Sequence, residues 1–469
     1  MKLNKLIPSI FMSLFMCCGL VQAVTPKYEI IELAVKDPEW YLEPTQMAMN
    51  DKGNVVFFRE GYVYLFTPQD GVKKIKEIPQ RNNVEIFKFN NSGVFVGALT
   101  TYETDGVSAQ IFIYYPKLGF IDLDQIVANS LGIKNEMSLK VHALNDLGML
   151  VFSAFDNENE TTIERICAYT PVKGVSVLCQ VKNTDSEKKY YKFASLNNKN
   201  QVLLRNDEKL SKFLLCELGK QDKNLGDLGL SQLLSQVTEK EFLGNYLKMS
   251  AKSCVLNDQG YITGDISNGI IKSDDEYLSS TFIYNPDRSL YVSGLSEYLK
   301  GKGSLDQWSK KTNKMLYCFN PLLDNNNRGA FFFVGQNPNN RRDMEKMRTW
   351  PIFQWSEKGK IKKIEKPAFK LNRDGDSSPS VYAAALDENG QVQMFGTDKN
   401  FQLPKKYESD AFFFIWNEKD GVQYLYDVLP HAQFDQLERS GTEHKYIQMN
   451  GRGDILMPGD TSLLLHRIN

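Results

Sequence analysis

Apolar and polar positions follow a short pattern that recurs from Met49 to Leu456. The clearest copy, 253–264, has a short apolar run, an Asn-Asp pair, a glycine and then a second run of β-favouring residues. Asn and Asp favour turns, and Gly260 can take a positive φ without steric cost. The pattern therefore predicts two short strands joined by a tight turn.

Eight copies of this turn unit occur along the chain. In the fourth copy Asn200 replaces the glycine, and asparagine is the next residue best able to take a positive φ. Copies recur roughly every 40 to 70 residues, a spacing typical of propeller blades or solenoid turns. The copies begin at Met49, Phe89, Leu144, Leu196, Leu256, Leu323, Leu386 and Met449.

A second element follows most copies: an apolar and aromatic strand, a Pro or Gly turn, and another short strand. Examples are 111–116 with 119–121, and 411–416 with 421–422. Each unit thus predicts four short strands joined by hairpins, and runs such as 331–333 favour sheets buried on both faces. We predict an all-β fold, a β-propeller of eight four-stranded blades. Seven blades is the alternative if the unit at Leu196 or at Leu323 is not a true blade.

The last unit is one strand short, because only Leu463–Leu465 follows 455–457 before the sequence ends. At the other end, Tyr28–Leu33 precedes the first copy and belongs to no unit. We expect this N-terminal strand to complete the last blade and close the ring, which removes an exposed sheet edge.

The turn at 256–264 and the strand from Ala411 and Phe412 to Trp416 resemble the repeat of the HAF-type extracellular repeat proteins, which are bacterial secreted β-propellers. The resemblance covers nearly all of the chain after residue 23. It implies the propeller fold and says little about activity, since a fold does not fix a function.

Four segments with apolar residues at helical spacing lie between the predicted blades. In a propeller these links lie on the same face as the loops between second and third strands, which are long here. We expect this long-loop face to carry function, since loops on a rigid scaffold do so more often than tight turns; neutral lengthening of the loops is the alternative. The helical segments are 123–131, 231–247, 295–314 and 428–438, and the loops are Thr100–Ala109, Asp156–Glu164, Ser267–Ser280, Gln336–Thr349 and Asp398–Asp410.

The first residues resemble a secretory signal peptide. Lys2 and Lys5 precede an apolar run at 6–20, and 21–23 has a small residue at the expected cleavage point. We expect cleavage after Ala23, with 1–23 as signal peptide, 24–469 as a single β-propeller domain, and a secreted or periplasmic location. Lipidation at Cys17 or Cys18 is less favoured because Met16 is not small. No later stretch is apolar enough to span a bilayer, so we expect no integral membrane segment in the mature chain.

Charge and cysteine usage exclude some classes of partner. With 56 Lys and Arg against 57 Asp and Glu, nothing favours nucleic acid or an anionic membrane. We expect a monomer with no cofactor and no metal. Cys167 and Cys179 lie on two paired strands, where an oxidising compartment permits a bridge, but we favour burial as small hydrophobic residues.

No catalytic motif stands out. The histidines do not have zinc-hydrolase spacing, and no nucleophile elbow, P-loop or dinucleotide fingerprint occurs. We expect structural roles for His142 and His466, while His431 and His444 lie near the long-loop face. The acidic runs 156–160 and 274–276 are typical of solvated loops, although paired acids can hydrolyse glycosides.

Aromatic and arginine residues in the long insertions are the candidate ligand-binding residues, because these residue types dominate binding hot spots. They predict a non-enzymatic binding platform for a protein, peptide or glycan. The alternative is a secreted hydrolase or lyase of polysaccharide or peptide, with acidic residues at the mouth of the central channel. The candidate binding residues are Trp308, Arg341, Arg342, Arg348, Trp350, Phe401 and Tyr407.

Overall fold

The described part of the chain forms eight sheets, each of four antiparallel strands. We number these sheets as blades in chain order. The computed structural model describes residues 27–35, 47–78, 82–103, 106–133, 137–158, 161–182, 191–206, 212–234, 249–268, 279–287, 290–292, 315–323, 329–336, 352–355, 361–364, 380–398, 412–417, 419–425, 429, 447–458 and 461–468.

The first four blades each take four consecutive strands. Blade 1 contains β2 (Met47–Met49), β3 (Val55–Arg59), β4 (Tyr62–Thr67) and β5 (Gly71–Glu77). Blade 2 contains β6 (Asn82–Phe89), β7 (Phe95–Glu103), β8 (Gly106–Tyr115) and β9 (Gly119–Asp122). Blade 3 contains β10 (Met137–Leu144), β11 (Leu150–Glu158), β12 (Thr161–Thr170) and β13 (Gly174–Lys182). Blade 4 contains β14 (Tyr191–Leu196), β15 (Gln201–Asn206), β16 (Phe213–Glu217) and β17 (Lys223–Gly226).

The remaining blades follow the same order except the last. Blade 5 contains β18 (Met249–Leu256), β19 (Ile262–Asn268), β20 (Ser279–Tyr284) and β21 (Leu290–Val292). Blade 6 contains β22 (Met315–Leu323), β23 (Gly329–Gln336), β24 (Ile352–Trp355) and β25 (Ile361–Ile364). Blade 7 contains β26 (Ser380–Leu386), β27 (Val392–Asp398), β28 (Phe412–Asn417) and β29 (Gly421–Tyr424). Blade 8 contains β30 (Gln448–Met449), β31 (Ile455–Met457), β32 (Thr461–Ile468) and, outermost, β1 (Lys27–Val35).

The blades are arranged in a ring, with the first strand of each blade innermost. From blade 1 to blade 8, the first strand of each blade contacts the first strand of the next. Blade 8 in turn meets blade 1, where the backbone N–H of Met49 donates to Oε1 of Gln448 at 3.0 Å. The predicted propeller with eight four-stranded blades is therefore confirmed.

The N-terminal strand closes the ring as predicted. In the antiparallel pairing of β1 with β32, Ile30 is opposite Leu465 and Ile31 is opposite Leu464. Leu33 and Leu464 also belong to one buried cluster with Phe57 of blade 1. The closing strand thus contributes both to the last sheet and to the interface with the first blade.

Both faces of a blade are buried against its neighbours. Along β3, Val55 and Phe57 pack against blade 8, while Val56 and Phe58 pack against blade 2. All four side chains are buried. This arrangement explains why the strands have continuous apolar runs instead of the alternation expected of a sheet with one solvated face.

One predicted helix is present in full. Helix α1 (Leu123–Leu131) begins after Asp122, whose side chain accepts from the backbone N–H of Gln125, and ends at Gly132, with a φ of 67°. Helix α2 (Leu230–Leu234) covers the start of the predicted segment 231–247. Residues 235–248 and 295–314, and all of 428–438 except Leu429, lie outside the described residues.

Two connections predicted as long loops are extended hairpins instead. In blade 2 the pairing of β7 with β8 continues to Glu103 opposite Gly106, and in blade 3 that of β11 with β12 continues to Glu158 opposite Thr161. The runs 100–103 and 161–163 are rich in Thr, Tyr and Ile, which favour strands, so the ladders extend outward. The remainder of the predicted loops, 269–278, 337–349 and 399–410, lies outside the described residues.

Candidate functional site

The ring has two faces of different construction. The turn face has the repeated turns between first and second strands, such as 50–54 and 90–94, and the hairpins between third and fourth strands, such as 116–118. The loop face has the connections between second and third strands, such as 103–106, and the links between blades.

On the turn face, the first residue of each described turn organises the turn through its own side chain. Oδ1 of Asn90 accepts the backbone N–H of Ser92 at 3.0 Å and of Val94 at 2.8 Å. Oδ1 of Asn197 accepts two backbone N–H groups in the same way. Asn200 takes a φ of 59°, which confirms that it stands in for the usual glycine.

The amide of the same residue reaches into the next blade. Because Oδ1 is used within the turn, Nδ2 is left to donate to the backbone carbonyl of the equivalent residue one blade further on. We call this series the asparagine belt. Its bonds are Asn50 to Asn90 at 2.9 Å, Asn90 to Asn145 at 2.6 Å, Asn145 to Asn197 at 2.9 Å, Asn197 to Asn257 at 2.9 Å and Asn450 to Asn50 at 3.2 Å.

The second turn residue forms a parallel series. Its backbone N–H donates to the side-chain Oδ1 of the second residue in the next blade. These bonds run from Asp51 to Asn91 at 3.0 Å, from Asn91 to Asp146 at 2.9 Å, from Asp146 to Asn198 at 2.8 Å and from Asn198 to Asp258 at 2.7 Å. The polar side chains of the first two turn residues thus join neighbouring blades, which is a structural role.

The belt changes where blade 7 meets blade 8. Asp387 replaces the first asparagine and has no amide to donate, although its Oδ1 still accepts within the turn from Asn389 and Gln391. Gln393 supplies a bond across this joint instead, from Nε2 to the carbonyl of Gly451 at 3.2 Å. The sixth turn, 324–328, lies outside the described residues.

A buried carboxylate anchors the turn of the closing blade. Asp454 is fully buried and accepts from Nδ1 of His466 at 2.8 Å and from the backbone N–H of Arg467 at 3.0 Å. Its other oxygen accepts from Nδ2 of Asn450 at 2.9 Å. The expected structural role of His466 therefore agrees with its position at the closure.

His142 lies on the innermost strand β10, where β-sheet pairing shifts by one residue. Its ring stacks on Phe193 of blade 4, with centroids 5.0 Å apart. Burial, with a smaller contribution from the positive charges of Lys140 and Lys88, lowers the pKa of His142 to about 4. The imidazole is therefore neutral at physiological pH.

The partners of His142 do not form a nucleophilic triad. Ser153 Oγ donates to Glu164 Oε1 at 2.8 Å, so Nε2 of His142, at 2.8 Å from the same Oγ, is the donor to Ser153. In a catalytic triad the histidine lies between serine and acid, whereas here serine is in the middle. Ser153 is also fully buried. The arrangement stabilises blade 3, as expected for His142.

One member of the acidic run 156–160 is engaged in an ion pair. Asp156 lies 3.1 Å from Nη1 of Arg165 on the neighbouring strand, and both side chains are largely buried. Over the described ranges, no group of three or more His, Cys, Asp or Glu residues is arranged to hold a metal ion. The acids 274–276 lie outside those ranges, so the enzymatic alternative stays a prediction.

The cysteines on the hairpin of blade 3 are free thiols. Cys167 is opposite Val177 and Cys179 is opposite Ile166, because a bulge between Ile166 and Cys167 shifts the register. Cys167 packs towards blade 2 and Cys179 towards blade 4. The two side chains therefore lie on opposite faces of the sheet, and burial as small hydrophobic residues is the alternative that fits.

The residues predicted to bind ligand do not lie in the described part of the chain. This holds for all seven candidates and for His431 and His444, so these assignments stay predictions. They are Trp308, Arg341, Arg342, Arg348, Trp350, Phe401 and Tyr407.

Sequence reasoning missed the lysines of the innermost strands. Lys88, Lys140 and Lys192 lie on β6, β10 and β14, and each is exposed although its strand is at the centre of the ring. Aligning the turn units would have revealed part of this set, because Lys140 and Lys192 each lie five residues before the first asparagine of their turn.

The chain matches no protein-family model and no curated protein. Among solved structures, it is similar to catalytically inactive virginiamycin B lyase from Staphylococcus aureus with quinupristin, at 9% identity and a TM-score of 0.33, covering 94% of this chain and 100% of that one. It is similar to Pyrococcus horikoshii acylaminoacyl peptidase at 9% identity and a TM-score of 0.39, covering 92% of this chain and 57% of that one. It is also similar to the Nup133 β-propeller domain of Vanderwaltozyma polyspora at 10% identity and a TM-score of 0.33, covering 85% and 96%.

At these TM-scores the assignment of the fold depends on the sheet topology described above. In the part of the chain that the structure describes, no helix has both the length and the apolar character needed to cross a bilayer.

Proposed function

We propose that the protein is a non-enzymatic binding platform that holds a protein, peptide or glycan ligand on its loop face. The proposal is supported by the rigid ring of eight sheets, which fixes the positions of the loops it carries. Rigid scaffolds with variable loops are a common design for recognition.

The observation that carries the proposal is the different use of polar groups on the two faces. On the turn face, the asparagine belt and the parallel second-residue series use polar side chains to join consecutive blades. Substitution of these side chains would remove hydrogen bonds between blades and so destabilise the ring. The loop face has the longer connections and the hairpins at 103–106 and 158–161, which lie outside these two series of bonds.

Replacing residues 337–349, which contain three of the predicted arginines, with a short Gly-Ser connection tests the proposal. The parent and the variant would be screened on immobilised glycan and peptide arrays. We expect the variant to keep its unfolding temperature and to lose the binding shown by the parent. A matched control changes an exposed residue of the turn face, Leu147→Ser, and should bind like the parent. Equal binding by the loop variant, or loss of binding only in the control, would place the function elsewhere.

We further propose that residues 1–23 direct export to the periplasm or beyond and that the chain is related to the HAF-type repeat proteins. The charged and apolar pattern at 2–20 supports the first statement, and the turn unit at 256–264 supports the second. N-terminal sequencing of protein made in a bacterial host should begin at Val24. An unprocessed Met1 would contradict export through this segment.

A further inference from the structure

Positive charge predominates over negative charge on the described innermost strands. The described innermost strands of blades 1, 6, 7 and 8 contain no Asp, Glu, Lys or Arg. Those of blades 2 to 5 contain four lysines against one acid, although the whole chain has a net charge of −1. The five charged residues are Glu85, Lys88, Lys140, Lys192 and Lys252.

Two of these lysines occupy the same place in consecutive blades. Lys140 and Lys192 each lie five residues before the first asparagine of their turn, and each is paired with the second strand of its blade, opposite Ser153 and Arg205. Glu85 holds the equivalent place in blade 2. Equivalent positions of a propeller lie at equivalent heights along the channel, so Lys140 and Lys192 lie on neighbouring innermost strands at one height.

The side chains of Lys140 and Lys192 point away from the preceding blade. Leu139 and Val141 pack into the core between blades 2 and 3, so Lys140, which alternates with them, lies on the side towards blade 4. By the same alternation, Tyr191 and Phe193 pack towards blade 3 and Lys192 lies on the opposite side. The repetition of one orientation shows that the arrangement follows from the repeat and is not a local accident.

The exposed lysines extend towards the channel. An innermost strand has its second strand on one edge and the neighbouring blades on its faces, so exposed side chains extend into the channel or its mouth. Lys88, Lys140 and Lys192 are exposed, and Lys88 and Lys140 form no ion pair among the described residues. The unfavourable effect of Lys88 and Lys140 on protonation of His142 shows that their charges act in the same region.

We propose that the wall formed by blades 2 to 4, with Lys88, Lys140 and Lys192, is a binding site for a multivalent anion, a small molecule or ligand group with several phosphate or carboxylate oxygens. A channel in which charge of one sign predominates, with low-dielectric walls, concentrates counter-ions. Several ammonium groups from successive strands suit a ligand with several negative groups, which a single lysine would not hold at physiological salt. This inference rests on the proposed binding function and names the chemistry of one part of the ligand.

Calorimetry with two probes tests the site and distinguishes the sources of the anion. Inorganic tripolyphosphate represents phosphate ligands and citrate represents carboxylate ligands, each titrated into the full chain at low ionic strength. We expect at least one probe to bind, with an affinity that falls as sodium chloride is added, because screening weakens such contacts. Binding of tripolyphosphate alone indicates a phosphate ligand, and binding of citrate alone indicates a carboxylate ligand. Binding of both indicates a site for multivalent anions in general.

A double variant in the channel, Lys140→Gln with Lys192→Gln, should weaken binding by about tenfold. The matched control, Lys73→Gln with Lys76→Gln, removes the same charge from the exposed outermost strand β5 of blade 1 and should leave affinity nearly unchanged. Thermal unfolding of both variants reports whether they are folded. The proposal is overturned if neither probe binds at millimolar concentration, or if both variants weaken binding equally.

The two functional proposals can fail separately. The loop replacement at 337–349 leaves the channel lysines in place, whereas the channel variant leaves the loops in place. Array binding that survives the channel variant, together with absence of anion binding, would retain the platform and reject this site.

Discussion

The side-chain amide of Asn450 in blade 8 donates to the backbone carbonyl of Asn50 in blade 1, at 3.2 Å. The same contact joins Asn50 to Asn90 and continues through blade 5, so the joint between the last and first blades uses the bond that holds other neighbours together. Two sets of hydrogen bonds therefore stabilise the closed ring. The β1–β32 ladder completes the sheet of blade 8, and the asparagine belt joins blade 8 to blade 1.

Substitution of a belt residue should destabilise the protein. Asn50→Ala removes the bond to the Asn90 carbonyl and the two bonds within the turn, from Lys52 and Asn54. Because Asn50 is buried, the groups it leaves do not regain water fully, and we expect a loss of roughly 1–3 kcal/mol in the free energy of unfolding. Chemical denaturation measures this loss. The control Lys52→Ala, in the same turn but exposed, should change stability by less than about 0.5 kcal/mol; an equal effect of both would refute a special role for Asn50.

Two glycines with similar backbone angles allow strain and packing to be separated. Gly53 has a φ of 76°, and a Cβ there would lie 2.5 Å from Oδ2 of Asp454. Gly71 has a φ of 69°, with open space around such a Cβ. Each Gly→Ala change costs about 1–2 kcal/mol of left-handed backbone strain, and Gly53→Ala should cost more because it displaces the buried carboxylate. Thermal denaturation of both variants checks the order, and an equal or reversed order would contradict the close packing of Gly53 on Asp454.

The fold could be predicted from the sequence because the same turn chemistry recurs in each blade. Asn-Asp-x-Gly units fix where strands begin, and the unpaired strand Tyr28–Leu33 could only find a partner in the short last blade. The bonds between blades could not be predicted, because they join residues about one blade apart in sequence whose spatial relation depends on ring curvature. The candidate residues from Trp308 to Tyr407 were chosen by residue type in long insertions, and nothing in a single sequence shows which of them converge.

The hairpins at 103–106 and 158–161 show another limit of prediction from the apolar and polar pattern of the sequence. Their polar residues suggested loops, yet the backbone pairs to the tips. Strand pairing depends on cross-strand neighbours more than on the polarity of single residues.

His142 should make stability depend on pH in the acidic range. The pKa of its imidazole is about 4 in the folded protein, below the ordinary value of 6.5, so unfolding takes up a proton between these values. The contribution is present above about pH 6.5 and is lost as the pH falls through about 4. Urea denaturation should show a smaller loss over this interval for His142→Gln than for the parent.

The control for that experiment is Ser153→Ala, which removes the hydrogen bond of His142 and keeps the titrating ring. We expect Ser153→Ala to keep the acid dependence while lowering stability at neutral pH. Parallel pH curves for the parent and His142→Gln would show that the ring titrates normally.

Cys167 and Cys179 should remain unbridged in the folded protein. Their side chains occupy opposite faces of one sheet, and burial raises the pKa of the Cys167 thiol to about 12, which suppresses the reactive thiolate. Peptide mapping without reductant should therefore recover these two residues as thiols. The partly buried Cys179 is the internal comparison and should be alkylated faster than the fully buried Cys167. A peptide with both residues linked would contradict the β12–β13 register.

Removal of the N-terminal strand tests ring closure most directly. Deleting Tyr28–Leu33 removes two buried side chains at its ends and the ladder with β32, whereas Leu33→Asp keeps chain length and disrupts only the contact with the Leu464 cluster. Measured by calorimetry against the chain lacking residues 1–23, the deletion should lower the unfolding temperature by about 10 °C or more, with a smaller decrease for Leu33→Asp. A deleted chain that unfolds within about 2 °C of its parent would show that β1 does not hold the ring closed.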